Sequence, residues 1–135
     1  KKQLREIIKE HKPVKIFIEE SFSKFATGMS SSQTIDKLSK FNGLVSYFIY
    51  EITGHPPINM NVNHSRKLCG IPIDRKDKTK STKEKVFDWF QSIYHWDFPK
   101  KKTGKYKDEC FDMVDSFVIC SAGWKMLHSP SPDAQ

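Results

Sequence analysis

Two aspartates stand three residues apart in the run YKDECFDMVDSFVICSAGW. Asp112 and Asp115 sit there among Phe111, Met113, Val114, Phe117, Val118, Ile119 and Cys120. On a helix this spacing puts the two carboxylates about 60° apart, on one face. A helix that is apolar around most of its circumference is a buried one. An unpaired carboxylate in that setting is costly, or takes up a proton. A bound divalent cation is one remedy, because it holds both acids ionised. A plainer alternative is that these acids occupy the first turns of a helix, where negative charge suits the macrodipole. Asp108, Glu109 and Asp112 fit that alternative, whereas Asp115 lies further in. A third acid, Glu19, ends the apolar segment KIFIEESF. If the segment is a strand, Glu19 shares a face with Phe17, opposite Ile18, and Glu20 becomes a solvated or ion-paired acid. An acid on a central strand and an acid pair on a covering helix can together hold two Mg²⁺ ions about 3.5–4 Å apart for phosphodiester hydrolysis.

Positioning these acids requires several elements. Leu4, Ile7 and Ile8 are spaced for a short amphipathic helix that Pro13 ends. VKIFIE reads as a buried strand, and SFSKFATGMSSSQT as a polar loop whose tail supplies helix-capping side chains. Ile35, Leu38, Phe41, Leu44, Val45, Phe48, Ile49 and Ile52 follow the three-four spacing of one long helix. Gly43 interrupts that helix at a cost of about 1 kcal/mol relative to Ala, which close packing against its face would explain. GHPP stops the helix and INMNV reads as a second short strand. STKEKVFDWFQSIYHW predicts an amphipathic helix, with Trp89, Phe90, Tyr94 and Trp96 as core or dimer packing. A final helix is expected from about Lys107 to Trp124. Together this predicts one domain over residues 1–126 and a frayed tail over 127–135.

The chain of 135 residues carries a formal charge of +7, with a pI near 9.3. That balance suits polyanions or anionic surfaces as partners. The charge is concentrated: RKDKTKSTKEK (75–85) and KKKTGKYK (100–107) together carry +9, leaving about −2 for the rest. Cys69, Cys110 and Cys120 are odd in number and lack CxxC spacing. They suit a reducing compartment and buried thiols better than a disulfide framework. His11, His55, His64, His95 and His128 are scattered without zinc-ligand spacing. No apolar run reaches transmembrane length, so no membrane partner is expected. The opening KKQLREII lacks an initiator Met, and the expectation is that further sequence precedes it.

Taken in order, these segments resemble the RuvC family of Holliday-junction resolvases, within the RNase H-like nucleases. HKPVKIFIEESF is similar to the family's helix, proline and strand segment through Pro13, Ile18, Glu19 and Phe22. KLSKFNGLV resembles its next helix, with Leu38 and Gly43 in register. STKEKV sets the basic Lys83 three residues before Val86, and FDMVDSFVI resembles the terminal D-x-x-D-A helix. The resemblance implies an α/β fold with a mixed sheet flanked by helices, a homodimer, and incision of branched DNA such as a four-way junction. It implies Mg²⁺, with Mn²⁺ as a substitute, held by Glu19, Asp112 and Asp115. Lys83, Arg66 and Lys67 would neutralise phosphates. Lys24, Lys80, Lys85, Lys100, Lys101, Lys102 and Lys105 are further candidates for DNA contact. Phe22 and Phe25 are candidates for wedging at a junction. Two departures stand out. Ser116 follows the second aspartate in place of the usual small residue, and no candidate for the family's first-strand aspartate precedes Glu19. The second departure keeps open a catalytically inactive nucleic-acid-binding or scaffold domain.

Overall fold

A computed structural model describes residues 1–20, 32–74 and 76–129. They gather into two compact units, one running from Lys1 to Met60 and the other from Asn61 onward.

The first unit begins with α1 (Lys2–His11), which packs on α2 (Ser32–Thr53). Lys12 closes α1 in the left-handed region at φ 45°, and its amide donates to Ile8 O; Pro13 then prevents continuation. β1 (Phe17–Glu19) and β2 (Ile58–Met60) pair in parallel, with Phe17 opposite Ile58 and Glu19 opposite Met60. Parallel neighbours need a long crossover, and the chain between them includes α2. The long helix expected from the apolar spacing is therefore present. Its Gly43, however, has open space where a Cβ would stand, with nothing described within 4 Å. Close packing against the described residues is not what that glycine serves. Of the mixed sheet that the resemblance implies, the described residues contain this parallel pair.

Among its described residues the second unit holds three helices. α3 (Val62–Leu68) starts where a strand was expected to continue, because Asn61 turns the chain and its side chain accepts from the His64 amide at 3.1 Å. α4 (Thr82–Tyr94) opens with a reciprocal cap: Ser81 Oγ accepts from the Glu84 amide while the Glu84 carboxylate accepts from the Ser81 amide. α5 (Asp108–His128) runs four residues beyond the Trp124 end expected from sequence. Lys125, Met126 and Leu127 sustain it, and its last turn includes Ser129 N donating to Lys125 O. Val86, Phe87 and Phe90 of α4 meet Cys110, Val114 and Val118 of α5, with Ile71 and Phe98 closing the core. Phe87 sits at ring-centroid distances of 5.1 Å from Phe98, 4.7 Å from Tyr106 and 4.9 Å from Phe111. Tyr94 and Trp96, expected as packing residues, are largely exposed, although both rings touch the buried Phe90.

A candidate site for phosphate and metal on the last helix

α5 buries a stripe through Cys110, Val114, Val118 and Ala122, spaced one turn apart. At 100° per residue, Asp115 falls about 80° from the centre of that stripe and Asp112 about 140° from it. The 60° between the two acids therefore spans the edge of the core. Asp115 is buried, with 10% of its side chain exposed, whereas Asp112 is 70% exposed. Burial of both acids, expected from the apolar surroundings, holds for Asp115 alone.

Each carboxylate has a cation. Arg66 on α3 donates through Nη2 to Asp115 Oδ1 at 2.9 Å, and 9% of its side chain is exposed. Lys83, in the first turn of α4, donates to Asp112 Oδ1 at 2.7 Å, where both side chains are in contact with solvent. Three helices thus bring together the two aspartates and two of the cations chosen from sequence. The buried pair compensates the Asp115 charge within the protein. Arg66 is not fully satisfied, since its buried Nε–H has no hydrogen-bond partner among the described residues.

Asp112 and Asp115 are oxygen donors of the type a hard divalent cation takes. Among the described residues, no group of three or more His, Cys, Asp or Glu side chains is arranged to hold a metal ion. Glu19 belongs to the first unit, where it ends β1 exposed and its backbone carbonyl accepts from Asn42 Nδ2 at 2.8 Å.

The remaining candidates fall into distinct surroundings. Lys67 is exposed on α3. Lys80 is paired with Asp88 at 2.6 Å; that hydrogen bond first, and then the aspartate's charge, raises the lysine pKa. Lys85 is turned inward, with 12% of its side chain exposed, and donates to the carbonyls of Asp74 and Asp77. In the second basic stretch, Lys100 lies over the Tyr106 ring at 5.2 Å and Lys101 meets Asp108 at 3.0 Å. Lys102 and Lys105 are exposed at the turn that Gly104 makes at φ 80°. Phe22, Lys24 and Phe25 lie outside the described residues.

Sequence reasoning missed two features. The partner of Asp115 is one, because Arg66 is 49 residues away and no local pattern announces the pair. Lys78 is the other, on a loop shaped by two aspartate turns: Asp74 Oδ1 accepts from the Lys76 amide at 2.8 Å and Asp77 Oδ1 from the Thr79 amide at 2.9 Å. The two-residue spacing of D-K-T carries that turn signal. Thr79, through its hydroxyl and then its amide, holds the Asp77 carboxyl below its ordinary range.

Comparisons with protein-family models, with curated proteins and with solved structures found no match to this chain. Among the described residues, no helix is long and apolar enough to cross a membrane.

Proposed function

We propose that the chain is a RuvC-like endonuclease that acts on branched DNA by metal-dependent phosphodiester hydrolysis. The observation that supports this most is the meeting of Lys83 with Asp112 and of Arg66 with Asp115 on adjoining turns of α5. Carboxylates able to share a cation, beside cations able to take a phosphate, are what such a reaction needs in one place. Mg²⁺ or Mn²⁺, with Asp112 and Asp115 among its ligands, would supply the activated water and stabilise the leaving oxygen. Within the chain itself, Lys83 is exposed enough to exchange its aspartate for a DNA phosphate, while Arg66 holds Asp115 in place through their hydrogen bond. The proposal includes a homodimer, for which α2 offers Leu38, Phe41, Leu44 and Tyr47 as exposed apolar surface.

The discriminating variant is Asp112→Asn, because its exposed side chain leaves the core undisturbed. In the full-length protein it should bind a four-way junction as the parent does and fail to cut it with Mg²⁺. Cutting at the parental rate would remove Asp112 from the site. One observation favours a second reading, a nucleic-acid-binding domain without catalysis: the Asp115 charge is already balanced by a buried arginine. A parent protein that binds junctions but cuts none of them under any divalent cation selects this second reading.

A further inference from the structure

Beside the Arg66–Asp115 pair, an open groove of about 990 Å³ runs between α3, the 71–80 loop and the start of α4. Clefts for small molecules of that size are lined mostly by apolar and aromatic groups. This one is lined by five cations, Arg66, Lys67, Lys78, Lys80 and Lys85, and by two acids. The acids offset only part of that charge. Asp74 and Asp77 turn their carboxylates into their own loop, onto the amides of Lys76 and Thr79, and Lys85 sits against the Asp77 carboxylate at 3.6 Å. Lys80 is shared with Asp88. Lys67 and Lys78 remain exposed, and no ion-pair partner is found for either among the described residues. The wall near α4 includes Ser81 and Thr82, at the positive end of a 13-residue helix dipole.

We propose that this groove takes the phosphodiester backbone of a DNA strand, with Lys67 and Lys78 as its two salt-sensitive phosphate contacts. The proposal rests on DNA as the substrate but not on cleavage. Lys85 has a different role: it holds the loop in shape from inside and leaves the outer lysines to the ligand. The groove gives a use to the exposed Lys78, while the side chains of Asp74 and Asp77 shape the loop that carries it.

The test is anisotropy of a labelled four-way DNA junction, titrated with EDTA present so that nothing is cut, between about 50 and 200 mM salt. The double variant Lys67→Ala/Lys78→Ala is compared with Lys2→Ala/Lys9→Ala, which removes the same charge from exposed positions of α1. Loss of two phosphate contacts should make the slope of log K against log[salt] less negative by about 2. Affinity near 150 mM salt should fall roughly 30-fold. The α1 variant should keep the parental slope. Equal changes in both variants would reduce the effect to net charge and overturn the groove. An unchanged slope in the groove variant, with the parent still binding, overturns the groove and leaves the nuclease proposal standing. A parent that binds no junction defeats the DNA reading itself, and the groove with it.

Discussion

Asp115 and Arg66 exchange a hydrogen bond where water scarcely reaches, whereas Asp112 and Lys83 do so in solvent. The two pairs look alike in distance and differ in what their loss would cost. Removing one partner of a buried pair strands the other charge, at about 3–5 kcal/mol. An exposed pair contributes at most about 1 kcal/mol. Asp115→Ala and Arg66→Ala should therefore each lower the urea unfolding free energy by several times more than Asp112→Ala, with the linear-extrapolation slope checked for constancy. Equal losses at Asp112 and Asp115 would mean that the burial of the pair carries no energetic weight. That difference was not legible in the sequence. The spacing of the aspartates showed that they share a face, but the angular position of the core stripe depends on what α3 and α4 bring against α5. Lys85, which holds the carbonyls of Asp74 and Asp77, likewise looks in sequence like its neighbours in the run 75–85.

Elements whose apolar residues repeat over several turns were readable in advance. The α2 and α4 patterns appear where expected, because a long repeat specifies a helix redundantly; α4 buries its apolar face, whereas α2 leaves Leu38, Phe41 and Leu44 exposed. α3 was not readable, since seven residues carry too little repeat and its start depends on one capping asparagine. The cap of α4 shows how one side chain can govern an element. The Glu84 carboxyl is held below its ordinary range, first by the Ser81 amide and then by the Ser81 hydroxyl, with Lys80 and Lys105 adding a smaller pull. A carboxyl depressed in the folded state stabilises fully above its unfolded pKa and loses that contribution as pH falls through the folded value. Stability of the α4 unit should therefore decline on acidification below the ordinary glutamate range. Glu84→Gln should be less stable at neutral pH and show a shallower acid decline, as measured by urea unfolding followed by circular dichroism. Parallel pH curves for parent and variant would exclude Glu84 from that limb.

For the whole molecule, the resemblance implies a mixed sheet, and the described residues contain one parallel strand pair and gather into two compact units. Register alone does not reveal how many strands join a pair, because each strand pattern is satisfied by a single neighbour. α2 leaves Leu38, Phe41, Leu44 and Tyr47 exposed, and Gly43 among them has nothing described near it. If that surface meets a second copy, the parent should sediment as a dimer at micromolar concentration and Phe41→Glu as a monomer. A monomeric parent would end the dimer proposal. The clasp in the 71–80 loop also bears on how freely this protein can vary. Lys85 donates to the main-chain carbonyls of Asp74 and Asp77, a group that every residue type possesses. An exposed side chain of the loop such as Lys78 can therefore be exchanged without touching this clasp, which holds the loop's outline together with the Asp74 and Asp77 turns.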